Sequence, residues 1–180
     1  MIILIGESGS GKTTILNELE KRGFKKAINH TTRPKRKTDD ELNEYKFLSK
    51  DEFNKMWEEG KLLQRAEFNN EFYGISTDSL KPNIACVSIT DSVKDIKKRV
   101  EELKIKDVDI KTFYIYVPEE ERINRMLKRG DSADTINKRL EIDKEKFKEA
   151  TIVADYTIEN VHLEVAVGEI LEKVNIKWYN

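Results

Sequence analysis

The apolar positions of this chain keep two different rhythms. Four consecutive apolar residues, Ile2 to Ile5, run into a glycine-rich turn. The next apolar positions, Ile15, Leu16 and Leu19, share one helix face until Gly23 stops them. The spacing predicts a strand followed by a helix. Tyr45-Lys46-Phe47-Leu48 then alternates apolar and polar as a half-buried strand does. Ser49 and Glu52 have capping-box spacing, and the helix they open is predicted to end near Gly60. Leu62 to Phe68 predicts another strand, with Asn69-Asn70 as its turn.

Ile84 to Ile89 is an apolar run with one serine, which predicts a strand covered on both faces. Val93, Ile96, Val100 and Leu103 mark an amphipathic helix behind it. Thr112 to Val117 predicts a strand closed by Pro118. Two charged helices, Glu119 to Arg129 and Ala133 to Ala150, follow on either side of Gly130. A short strand around Tyr156-Thr157-Ile158 leads to a last helix on Leu163, Val167, Ile170 and Val174. Strands alternating with helices predict an α/β fold, a mainly parallel sheet with helices on both faces. The segment from about 30 to 82 breaks that alternation and is predicted to be an inserted lobe of mixed strands. Within it, Asn29 to Glu44 is too polar and too charged to be core.

Composition narrows the class. A chain of 180 residues buries enough surface to fold as one domain without disulfides, and it has one cysteine, Cys86, in an apolar run that predicts a buried structural thiol. Charged residues make up 37% of the chain, yet the formal net charge is −1, which argues against a basic nucleic-acid-binding surface. No apolar stretch approaches the roughly 20 residues that cross a bilayer. Met1 to Ile5 is too short and lacks the charged start of a secretory leader, so the expected location is cytoplasmic. His30 and His162 are isolated and neither is assigned to a metal.

Gly6-Glu7-Ser8-Gly9-Ser10-Gly11-Lys12-Thr13 matches the phosphate-loop pattern G-x-x-x-x-G-K-[ST] in full, with a strand before it and a helix after it. Glycines let the backbone curl so that N–H groups converge on phosphate oxygens, and the helix adds the positive end of its dipole. Gly6, Ser8, Gly9, Ser10, Gly11, Lys12, Thr13 and Thr14 are therefore expected to bind ATP. Lys12 would reach the β and γ phosphates, and the Thr13 hydroxyl would ligate Mg²⁺. The two Asn-Lys pairs continue as Met56-Trp57 and Arg139-Leu140, so neither forms the Asn-Lys-x-Asp guanine motif of a GTPase.

Thr31-Thr32-Arg33-Pro34-Lys35-Arg36, Tyr45 to Ser49, Asp51-Glu52-Phe53 and Phe72-Tyr73-Gly74 follow the loop in order. Ile136-Asn137-Lys138-Arg139-Leu140 and Asp155 to Asn160 come later. In this order and spacing the chain resembles guanylate kinases over nearly its whole length. The resemblance implies a P-loop NTPase three-layer fold with a parallel sheet, an inserted mixed-β nucleotide-monophosphate lobe and a helical lid. It implies a core at 1–29, 83–121 and 150–180, a monophosphate lobe at 30–82 and a lid at 122–149. Arg33 and Arg36 would clamp the monophosphate, helped by the hydroxyls of Tyr45 and Tyr73. Gln64 and Asn29 would stand at the base. Arg125, Arg129 and Arg139, with Lys12, would stabilise the transferring phosphoryl group, and Gly130, Asp131 and Ser132 would act as a hinge. The implied activity is ATP- and Mg²⁺-dependent phosphorylation of a nucleoside monophosphate, most simply GMP or dGMP, by a monomer or homodimer.

Six positions depart from the family pattern, among them Asn29, which stands where a serine is common. Gln64 stands where guanylate kinases usually have glutamate, and Ile75 where a serine or threonine follows Tyr-Gly. Ser88-Ile89-Thr90 replaces an Asp-x-Asp, leaving Asp91 either as a substitute acid or as a helix cap, and Glu7 adds a carboxylate to the loop. These differences keep open a different or modified (deoxy)nucleoside monophosphate as substrate. Two further readings, a non-catalytic binding module and a general ATPase, compete with the kinase.

Overall fold

The computed structural model describes residues 1–35 and 45–174. The predicted first strand is β1 (Ile2–Ile5), and it sits at the centre of a sheet with β2 (Lys25–Lys26), β7 (Ile84–Val87), β8 (Lys111–Tyr116) and β9 (Tyr156–Glu159). The order is β2-β7-β1-β8-β9, and every pairing is parallel. Side chains leave successive strand positions on opposite faces. Accordingly Ile2 and Leu4 enter one apolar cluster while Ile3 and Ile5 enter another, and Phe113 and Ile115 part from Tyr114 in the same way. Helices α1 (Lys12–Lys21) and α7 (Leu163–Lys173) cover the first face. Helix α3 (Thr90–Glu102) and the short α6 (Ala150–Val153) cover the other. The result is the three-layer α/β fold expected from the alternation.

The inserted segment forms its own sheet, in the order β4-β3-β6-β5. Its strands are β3 (Asn29–Thr31), β4 (Tyr45–Phe47), β5 (Ala66–Phe68) and β6 (Glu71–Ile75). Pairing is mixed: β3 runs parallel to β4 and antiparallel to β6. Helix α2 (Lys50–Glu58) opens with the predicted capping box, in which the Ser49 hydroxyl accepts from the Glu52 N–H and the Glu52 carboxylate accepts from the Ser49 N–H.

Three local expectations need correcting. Asn29 to Thr31 is an inner strand of the lobe, with His30 and Thr31 buried, because backbone pairing on both edges repays burying polar side chains there. Leu62 to Phe68 is not one strand: Leu62 only bridges Ser76, and Leu62, Leu63 and Gln64 are buried in succession, a pattern no flat strand with one open face produces. The helix predicted over Ala133 to Ala150 ends earlier, as α5 (Ala133–Phe147), and the chain turns before α6. Helix α4 (Glu119–Lys128) precedes it. Strands β2 and β6 carried no period-2 pattern long enough to predict them.

Cys86 is buried in the sheet, where desolvation pushes its thiol up to about 12, as suits a structural residue. Asp91 lies in the first turn of α3 but does not cap it. The N-cap is Ile89, without a side-chain bond, and the Asp91 carboxylate stands in solvent 4.0 Å from Lys94. No helix among the described residues is long and apolar enough to cross a membrane.

Candidate active site

The loop between β1 and α1 curls for reasons visible atom by atom. Gly9 and Gly11 have φ of 83° and 87°, the left-handed region that side chains avoid. There is also no room: a Cβ on Gly9 would lie 2.7 Å from the Arg122 carbonyl oxygen, and one on Gly11 would lie 2.4 Å from Asn160 Nδ2. Gly11 is the N-cap of α1 and offers no side-chain acceptor, so the first N–H groups of the helix stay open to an anion. Asn160, just after β9, fastens the curl by donating from Nδ2 to the Ser10 carbonyl at 2.8 Å.

Lys12 folds back over this loop. Its Nζ donates to the carbonyls of Gly6 at 2.6 Å and Glu7 at 2.8 Å, and to Ser10 Oγ at 3.2 Å. Burial pulls its ammonium down to about 8, against the attraction of Asp143 and Glu7. Asp143, on α5, is buried and its Oδ2 accepts from the Ser8 N–H at 2.7 Å. A carboxylate from α5 therefore occupies one amide of the loop before α1. Glu7 accepts at Oε1 from the Tyr114 hydroxyl at 2.8 Å while its charge still acts on Lys12. Burial and that carboxylate raise the Tyr114 phenol well above its ordinary range.

A cavity of 480 Å³ opens over the loop, lined by Ser8, Gly9, Gly11, Lys12, Thr13 and Thr14, with Arg125 of α4 and Arg129 at its C-terminal cap. Arg125 is fixed on two sides, by Nη2 on the Asn160 carbonyl and Nε on Glu121, both at 2.9 Å. Arg129 and Arg139 converge on one carboxylate: Asp131 accepts from Arg129 Nη2 and lies 3.5 Å from Arg139 Nη1. Arg129, before Arg139, holds the Asp131 carboxyl below the usual range. Asp131 thus gathers lid arginines, while Ser132 caps α5 by accepting from the Thr135 N–H.

A second cavity, of 290 Å³, brings Thr13 together with Asn29, Tyr45, Leu16 and Lys26. The Arg33 guanidinium lies 4.9 Å from the Tyr45 ring centroid and 5.2 Å from that of Phe47. Tyr73, on β6, is the register partner of Thr31. Gln64 is not among the residues that line this cavity and donates from Nε2 to Ser92 Oγ at 2.5 Å. Arg36 lies outside the described residues.

The guanylate kinase family model matches residues 1–175. The chain belongs to the guanylate kinase family. Its enzyme class is therefore nucleoside monophosphate kinase. A guanylate kinase from Halalkalibacterium halodurans is 31% identical over 179 residues, covering 94% of this chain and 84% of that protein. One from Wolbachia sp. subsp. Brugia malayi is 30% identical over 186 residues, covering 98% and 94%. The crystal structure of guanylate kinase from Anaplasma phagocytophilum superposes with a TM-score of 0.64 at 22% identity, covering 98% of this chain and 86% of that one, and supports the fold.

Sequence reasoning assigned no role to Asn160, Asp143 or Ser92, and gave Asp131 only a place in the hinge. Asn160 lies within a stretch that carries the resemblance, so its position was signalled although its bonds were not. Asp143 is one acid on a heavily charged helix, and Ser92 one hydroxyl after a strand. Nothing local distinguishes either.

Proposed function

We propose that this guanylate-kinase-family enzyme transfers the γ-phosphoryl group of ATP, with Mg²⁺, to GMP or dGMP. The observation that best supports two adjoining phosphate sites is the position of Thr13. It lines the cavity over the phosphate loop and also the cavity that holds Asn29 and Tyr45. In this reading the core at 1–29, 83–121 and 150–180 takes ATP, the lobe at 30–82 takes the monophosphate, and the lid at 122–149 supplies arginines.

The open N–H groups at the start of α1 suit the β phosphate, and Lys12 exchanges its three loop acceptors for β and γ oxygens. A polyphosphate beside it favours the charged ammonium over the neutral form that burial favours. Mg²⁺ bound with the Thr13 hydroxyl would neutralise charge between the β and γ phosphates. Arg33 and Arg36, with the hydroxyls of Tyr45 and Tyr73, orient the acceptor phosphate through bidentate and neutral donors. Gln64 and Asn29 stand toward the base. Arg125, Arg129 and Arg139 stabilise charge on the equatorial oxygens of the phosphoryl group in flight. The acceptor is already an anion, so no general base is required.

Steady-state rates for a panel of monophosphates with ATP and Mg²⁺ test the substrate. GMP or dGMP is expected to lead, and turnover no faster than that of pyrimidine nucleotides removes the guanine assignment. A second reading, a different or modified nucleotide, draws its support from Gln64, whose amide presents other partners than a carboxylate does.

A further inference from the structure

Helix α5 spaces Arg139, Asp143 and Phe147 four residues apart, which puts all three on one face. The outer two are engaged around the loop: Arg139 Nη1 lies 3.5 Å from Asp131, and the Phe147 ring centroid lies 6.0 Å from Lys12 Nζ. Between them Asp143 is 7% exposed and accepts from the Ser8 N–H at 2.7 Å. That is its one hydrogen bond among the described residues, and the charge of Lys12 reaches it only at longer range. The loop does not need this bond to hold its curl. The Ser10 N–H donates to the Glu7 carbonyl at 3.2 Å, Asn160 holds the Ser10 carbonyl, and Arg122 Nη1 donates to the Ser8 carbonyl at 3.5 Å. The carboxylate therefore takes an amide from a residue that lines the 480 Å³ cavity without building the loop.

We infer that Asp143 is an autoinhibitory residue: its carboxylate holds the loop amide against phosphate, and a triphosphate binds only by expelling it. This rests on the reading that the loop takes ATP. A backbone N–H of such a loop serves carboxylate and phosphate oxygens alike, and negative charge strengthens either bond. The two anions also repel, and the screening between them is weak because the carboxylate is withdrawn from water. Expelling Asp143 shifts the face it shares with Arg139 and Phe147, so filling the loop moves an arginine proposed for the phosphoryl group. A ligand that must select the undocked helix binds with an affinity lowered by the fraction of protein in that state. With α5 docked about nine-tenths of the time, the loss is about tenfold.

The test is calorimetric titration of ATP and of inorganic tripolyphosphate, without monophosphate, into the wild type, Asp143→Ala, Asp143→Asn and Glu141→Ala. Asp143→Ala should bind both ligands roughly tenfold more tightly than the wild type. Asp143→Asn keeps an oxygen for the Ser8 N–H but loses the charge, and should gain about threefold. Glu141→Ala removes an equal charge from an exposed position on the same helix and should stay within about twofold of the wild type. Without added nucleotide, amide hydrogen exchange across residues 139–147 should be faster in Asp143→Ala than in the wild type. Equal or weaker binding by the Asp143 variants overturns the inference and makes the carboxylate a support of the loop. An equal gain from Glu141→Ala overturns it as a plain effect of charge, and unchanged exchange overturns the docking of α5. If Asp143→Ala does not fold, the ratio for Asp143→Asn decides. If neither ligand binds to any of the four proteins, the ATP reading falls, an outcome distinct from affinities that are measurable and equal.

Discussion

The glycine-rich loop before α1 and the Gln64–Ser92 bond are held together in two different ways. The loop is made within one short stretch of chain: Gly9 and Gly11 adopt conformations other residues avoid, and Lys12 bonds to acceptors no more than six residues away. The junction joins side chains 28 residues apart, one in the inserted lobe and one in the core. Backbone geometry specifies an anion site, because any phosphate suits a ring of N–H groups. A side-chain pair such as Gln64 and Ser92 forms only once distant parts of the chain meet. The comparison teaches that the loop is built by local backbone constraints and the lobe–core contact by long-range side-chain pairing.

Substitutions should separate the two sites, and Lys12→Ala is expected to have the largest effect. Removing its charge from the loop should lower kcat by roughly 10³-fold or more for every monophosphate alike, whereas a non-catalytic binding module would keep its partner binding. A loss that depended on the base would break the division. Arg33→Ala comes next. Loss of a charge-assisted clamp worth about 1.5–3 kcal/mol should raise KM for the monophosphate on the order of 100-fold while leaving ATP affinity alone. Equal damage to ATP binding, read by calorimetry, would place Arg33 elsewhere.

Asp143→Ala should act in the opposite direction. The Asp143 carboxylate holds the N–H of Ser8, a residue that lines the loop cavity, so its removal frees a donor and takes an anion from beside Lys12. ATP affinity should rise roughly tenfold, as loss of a competing charged hydrogen bond allows. An unchanged dissociation constant would show that the lid carboxylate and the nucleotide do not compete.

The smallest effect concerns the core beneath both sites. The Cys86 thiol is raised from its ordinary 9.0 to about 12 by burial, so its contribution to stability is complete below pH 9.0 and is lost as pH climbs toward 12. The difference in urea midpoint between the wild type and Cys86→Ala should shrink above pH 9.0. At neutral pH the thiol should resist alkylation until the protein unfolds.

Much of the fold was legible because its strands and helices bury continuous or periodic apolar faces. The capping box at Ser49 and the strand-loop-helix around Lys12 were readable for the same reason: each is satisfied by neighbours a few residues away. The polar strand β3 was not, because pairing on both edges stabilises it and its own side chains say nothing of that. Nor was the use of Asp131, which binds Arg129 nearby but draws in Arg139 from the next helix.

By itself, the order of residues determined an α/β fold of the guanylate kinase family and the strand, glycine-rich loop and helix around Lys12. Only the tertiary structure decided that Asp143 reaches the loop, that Glu7 turns to Tyr114, and that Gln64 meets Ser92. Local backbone constraints are written in consecutive residues. The orientation of a side chain is set by whatever distant atom can accept or donate to it, and that atom is known only once the chain has folded.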